Sequence, residues 1–288
     1  MSAPSSRSSD EEGQDPARAV HNSLVNYVVS FGIVHRLREL FAVWERPQEE
    51  GSPVPSAIEW GLRLLGTLCG SAPCRASKEN AHLDTSSTAP VLRALGDTHL
   101  GGLPSLLTAT LLHAAPGLGA AAADADKLPP NFVPVATTVM RILNSAARRD
   151  HCMVQQLLGS TDMRMELFHL VSFLLSFCTA AWTSRPAAPG MRQGGIVAEL
   201  LEEVIVLISF FARGSPKNQA VLTWGRAPTI LTKLCNVPFP FFSDPALKPL
   251  LLRALHAASS GNAKSRDVLA QELGSSWLCE VEDGAMAM

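Results

Sequence analysis

The sequence predicts an all-α chain, an armadillo/HEAT-like α-solenoid of irregular helical repeats. Three observations carry that prediction. Between breakers, apolar residues recur at steps of three and four, the helical period. The short, alternating β-branched runs that mark strands are absent from the sequence. A short helix, a glycine turn and a helix with leucines three apart return along the chain, as stacked helical units require.

Residues 1–19 are Ser-rich and acidic, without the basic and apolar segments of a signal peptide, and read as a disordered tail. A helical-repeat domain is expected over 20–280, followed by an acidic tail, 281–288. Its first unit runs from Val28-Val29-Ser30-Phe31 through Gly32 to Leu37 and Leu40. Pro47 to Pro55 is a loop. Three polar or Pro-rich insertions, near 71–90, 116–134 and 183–195, are expected to be mobile. Asp150 is placed to cap a helix that runs to Leu158 and stops at Gly159. Met163 to Trp182 is apolar almost all round, as a helix buried between neighbours should be. Glu199 to Phe211 draws one broad apolar face, with its three Glu in the first half, where the helix dipole favours negative charge. The clearest repeat unit starts at Asn218-Gln219, turns at Gly225 and continues with Leu231 and Leu234. A second starts at Asn262, 44 residues on. Armadillo and HEAT repeats recur every ~40–47 residues.

Composition narrows the function. Of 288 residues 47% are apolar and 17% charged, enough for a sizeable core, and the net charge of −2 weakens the case for a dedicated nucleic-acid binder. Six cysteines, mostly inside apolar runs, fit buried free thiols of a reducing compartment, and the expected localisation is cytoplasmic. The most apolar stretch, Leu167 to Trp182, has 16 residues and falls short of the ~20 that a bilayer needs, so no direct membrane insertion is expected.

The sequence carries no recognisable catalytic motif. There is no phosphate-binding loop of the GxxxxGK[ST] form, no GxSxG elbow and no HExxH pair. Cys69, Cys74 and His82 are close in sequence, but a tetrahedral zinc site needs a fourth ligand and a CxxC anchor is missing. His151-Cys152 reads as a capped helix start rather than an activated thiol. No cofactor, no metal and no enzyme activity are expected. Arg38-Glu39-Leu40-Phe41 has the Arg-x-Leu-Phe form of a cyclin-docking segment, which makes Arg38, Leu40 and Phe41 candidate protein contacts, although Leu37, Leu40 and Phe41 also read as the inward face of a repeat helix. Ser52-Pro53 and Ser215-Pro216-Lys217 are minimal proline-directed phosphorylation sites. Arg148, Arg149, Arg213, Lys217 and Arg226 are candidate RNA or ribosome contacts if they converge, against the simpler reading of solvated surface cations.

Two patches then carry a resemblance. One holds Asn218-Gln219, Gly225-Arg226, Pro228-Thr229, Leu231, Leu234-Cys235, Pro238-Phe239 and Phe242-Ser243-Asp244-Pro245, and runs on to Asn262 and Gln271-Glu272. The other holds Leu24-Val25, Val29-Ser30, Gly32, Leu37 and Leu40-Phe41. Together they resemble the C-terminal helical region of the family of S-phase cyclin A-associated proteins of the endoplasmic reticulum. That family's zinc finger, charged helical segments and proposed membrane segment have no counterpart here, so the chain reads as an isolated C-terminal module, a truncated gene model or a short relative. The resemblance implies a non-enzymatic adaptor. Its implied partners are cyclin A/CDK2 or ribosome-associated factors of tubulin mRNA decay. Its implied location is at the endoplasmic reticulum or perinuclear. A protein-interaction scaffold is the leading reading, and a ribosome- or RNA-engaging module acting through basic surface residues is the alternative.

Overall fold

The computed structural model describes residues 16–43, 51–71, 85–114, 128–184 and 195–286, and among them every regular element is a helix. The first three are α1 (Pro16–Ser30), α2 (Ile33–Ala42) and α3 (Ser56–Leu68). Then come α4 (Thr85–Asp97), α5 (Leu103–Ala114) and α6 (Phe132–Arg149), with a 3₁₀ turn, Leu100–Gly102, leading into α5. The centre is α7 (His151–Leu158), α8 (Thr161–Ser184) and α9 (Gly195–Ala212). After these follow α10 (Pro216–Val221), α11 (Ile230–Cys235), the single turn α12 (Pro240–Ser243) and α13 (Lys248–Ser259). The chain closes with α14 (Ala263–Leu273) and α15 (Ser275–Met286).

The helices pack in files. In one file α3 lies on α6, α6 on α9, α9 on α13 and α13 on α15. In a second, α2 touches α5, α5 touches α8, α8 touches α11 and α11 touches α14. A third links α1 to α4 and, more lightly, α4 to α7. One continuous core runs between the files, from Val25 to Val281.

Local sequence explains the joints. Asp150 Oδ1 accepts from the Met153 N–H at 2.9 Å and caps α7, a device of about 1 kcal/mol. Gly61 lets α2 lie close to α3, since a Cβ there would sit 3.1 Å from both Leu37 and Phe41. Gly159, at the end of α7, faces Asn218, whose Oδ1 would be 2.5 Å from an added Cβ.

Several expectations shift. The tails are shorter than read: α1 begins at Pro16 and α15 runs to Met286. Helix also enters the insertions. α4 starts at Thr85 and carries Pro90 inside it, at the cost of one backbone hydrogen bond. Pro134 is the third residue of α6, where the N–H has no intrahelical acceptor in any case. Residues 72–84, 115–127 and 185–194, within the predicted insertions or at their edges, and the tail up to Asp15 lie outside the described residues. The apolar helix is longer than the 16-residue reading: α8 has 24 residues, and Thr161–Trp182 is by length and composition enough to cross a membrane. In the fold α8 packs against α5, α9 and α11, with Leu170, Leu174, Leu175 and Cys178 buried, and 44% of the apolar span lies inside the fold. On α9, Glu202 and Glu203 are both buried.

Candidate interaction surface

Several interior polar groups are used to join helices. Glu203 is 1% exposed and accepts from Asn144 Nδ2 at 2.8 Å, with Arg141 Nε at 3.4 Å; Arg141 also pairs with Glu199 at 2.7 Å. These contacts join α6 to α9 and supply the partners that a buried carboxylate requires. Other side chains close helix ends. Gln155 Nε2 on α7 donates to the carbonyls of Phe210, Phe211 and Arg213, at the end of α9. Gln219 Nε2 on α10 donates to Ala257 and Ser260 at the end of α13, both at 2.9 Å. Ser145 Oγ on α6 donates to the carbonyls of Cys69 and Gly70, where α3 ends. Each satisfies carbonyls that a helix terminus leaves without intrahelical partners. Asn218 Nδ2 likewise reaches Phe211 O at 2.9 Å, so the Asn218-Gln219 pair is structural.

Leu231 and Leu234 are both fully buried, as the repeat reading requires. Trp224 is half-buried against Phe168 beside the Gly225 turn, with the Arg164 guanidinium 5.2 Å from its ring centre.

The candidate contact residues separate. Arg38 is exposed, Leu40 half-buried and Phe41 1% exposed. A docking segment needs its Leu-Phe pair free, and the folded chain spends Phe41 on the α2–α3 contact. Among the basic candidates, Arg213, Lys217 and Arg226 are exposed, and Arg148 and Arg149 are half-buried. Arg149 is occupied: its Nη1 donates to Ser145 O and Oγ, and its Nε is buried without a partner. Burial, opposed by Cys69 and assisted by Arg148, holds the Arg149 pKa below the ordinary guanidinium value. Ser52 is half-buried before α3. Ser215 caps α10, accepting from the Asn218 N–H.

Among the described residues no group of three or more His, Cys, Asp or Glu side chains is placed to hold a metal ion. Cys74 and His82 lie outside those residues. Cys69, Cys178 and Cys235 are buried, whereas Cys152 and Cys279 are exposed. Burial pushes Cys69 from 9.0 to about 12, against a small opposing effect of Arg149. Burial, with a smaller contribution from Glu272, does the same to Cys235. Such thiols stay protonated and unreactive at neutral pH.

The surface that sequence reasoning missed lies at the N-terminal end. The large exposed apolar side chains are Val20, Leu24, Tyr27, Phe31, Val43, Trp60 and Leu64 in the first three helices and their flanks, against only Met165, Ile196 and Phe239 elsewhere among the described residues. Val20, Leu24 and Tyr27 on α1, with Phe31 just past its end, form one stripe, while Val25, Val28 and Val29 on its other side face the core. Trp60 is 66% exposed on α3, with the Arg63 guanidinium stacked 4.8 Å from its ring centre and Leu64 one turn on. Scattered exposed apolar residues are ordinary, whereas a concentration of this kind makes a candidate interaction surface. The signal was in the sequence: α1 is apolar at two sets of helical spacings, and one face of a helix suffices to join a core.

This chain is similar to the human S phase cyclin A-associated protein in the endoplasmic reticulum. The two are 28% identical over 261 residues, which make up 90% of this chain but only 18% of the relative. The resemblance read from the two residue patches thus extends over most of the chain, and the chain spans under a fifth of the relative's length. No family model matches.

Proposed function

We propose that the chain is a non-enzymatic protein-interaction scaffold, an armadillo-like solenoid that engages its partner through the exposed apolar faces of its first three helices. The observation that carries this reading is the concentration of exposed large apolar side chains between Val20 and Leu64, with Trp60 and Arg63 stacked at its α3 end. Tryptophan and arginine are the residue types that most often dominate binding energy at interfaces. The solenoid reading is supported by the files of like helices, and by glutamines on α7 and α10 that close the ends of α9 and α13 in corresponding ways.

The human relative is, by its name, associated with cyclin A and located in the endoplasmic reticulum. Cyclin A with its kinase is therefore the first partner to test, and a place at the endoplasmic reticulum held through a partner is the matching location. A role in ribosome-linked mRNA decay is the next. The electrostatic alternative has less support, because Arg149 is already engaged and the chain carries a net charge of −2.

The test uses the purified chain and the purified cyclin A–kinase pair, with binding measured at about 0.1 M and about 0.5 M salt. Binding that survives the higher salt and weakens about tenfold or more in Trp60→Ala is the expected result. Failure to bind cyclin A overturns that partner. Binding that moves to RNA, and washes off with salt, overturns the apolar-face reading in favour of phosphate contacts.

A further inference from the structure

The α1 stripe has a property that Trp60 lacks. Val20, Leu24, Tyr27 and Phe31 follow one another at steps of four, three and four, the a/d spacing of a two-helix seam. Their exposures run from 57% to 69%. Tyr27 and Phe31 already pack edge to face, with ring centres 4.7 Å apart.

We infer that this stripe pairs with the same stripe of a second copy of the chain, giving an antiparallel α1–α1 dimer. The inference rests on the interaction reading above and names the occupant of one of its faces. Three observations choose a second copy. First, the sequence of the stretches outside the described residues offers no matching apolar stripe. Each stretch outside the described residues carries a single large apolar side chain: Met1, Trp44, Leu83, Leu118, Met191 or Met288. Second, partner choice in helix seams is set by flanking charges, and α1 has only Arg18 among its charged side chains, with Ser23, Asn26 and Ser30 beside the stripe. A copy therefore meets no like-charge repulsion, and nothing in α1 selects an acidic or basic stranger. Third, the area suffices. Four such side chains expose roughly 450–500 Å² per copy, about 1,000 Å² for the pair, the low end for a specific interface. Antiparallel pairing sets Phe31 against the partner's Val20 and Tyr27 against the partner's Leu24, so that large side chains oppose smaller ones.

The expected dimer is micromolar, and the test is sedimentation equilibrium on the full chain from about 1 to about 200 µM. The mass should rise from 30.8 kDa to twice that value across the series. Leu24→Glu with Phe31→Glu should hold it at the monomer, with helicity and Tm unchanged. If that variant loses helicity, Tyr27→Ser with Phe31→Ser is measured in its place. In a background lacking Cys74, Cys152 and Cys279, a Val20→Cys chain mixed with a Phe31→Cys chain should form the mixed disulfide in preference to either self-pair. A chain that stays monomeric at the top concentration overturns the proposal, as does a dimer that survives the stripe variants. Preference for self-pairs overturns the antiparallel arrangement. A monomer that still binds cyclin A fails this proposal alone. A dimer that binds no partner fails the cyclin A reading alone.

Discussion

The middle and the first helix of the α3–α6–α9–α13–α15 file treat their apolar surface in opposite ways. At α9, neighbours on three sides (α6, α8 and α13) cover Leu200, Leu201, Val204, Ile205, Leu207 and Ile208 completely, and even Glu202 and Glu203 are drawn inside. At α3, among the described residues, only α2 and α6 pack closely, and Trp60 and Leu64 are exposed. The residue types are similar, and the difference is the number of neighbours. Among the described residues, α9 spends its apolar side chains on packing, whereas α3 keeps part of its apolar face exposed. That face is the part of the molecule free to become an interface.

Substitutions on the two sides should separate sharply. Leu231→Ala, in the covered half, should cost about 2–5 kcal/mol in denaturant unfolding, since it removes a fully buried side chain and leaves a cavity. A loss under about 1 kcal/mol would break the comparison. Glu203→Gln keeps the shape and the Asn144 contact but removes the charge that faces Arg141. It should cost about 1.5–3 kcal/mol, measured the same way, and a neutral result would mean that the α6–α9 joint is held by packing alone. Trp60→Ala, on the open side, should stay within about 0.5 kcal/mol of the parent while it weakens partner binding. A large loss of stability there would show that α3 is covered after all.

What could be read from the sequence was local. Asp150, the α7 it starts and the stop at Gly159 follow from capping chemistry within ten residues. Leu231 and Leu234 follow from helical spacing beside a glycine turn. What escaped depends on distant partners. Nothing near Glu203 announces that Arg141 and Asn144, about sixty residues earlier, will receive it. Pro90 and Pro134 are breakers by type, yet the fold accepts one at the cost of a hydrogen bond and the other in a first turn. The Arg38-Leu40-Phe41 motif shows the same limit. Its letters match a docking segment, and Gly61 on another helix decides that Phe41 is core. The α1 stripe differs, because its spacing was visible all along. Apolar residues on two faces of one helix look like a well-buried helix until the neighbours are counted.

Gln219 has a consequence for dissecting the chain. The amide that finishes α13 comes from α10, across two intervening helices and their loops. A fragment cut just ahead of Lys248 would keep every residue of α13 and still lose the group that terminates it. Gln155 and α9 set the same trap one step earlier. Expression boundaries for this protein are therefore better drawn before Asp150 or Ser215 than at the loops that look most convenient, so that each truncated piece carries its own closing side chain.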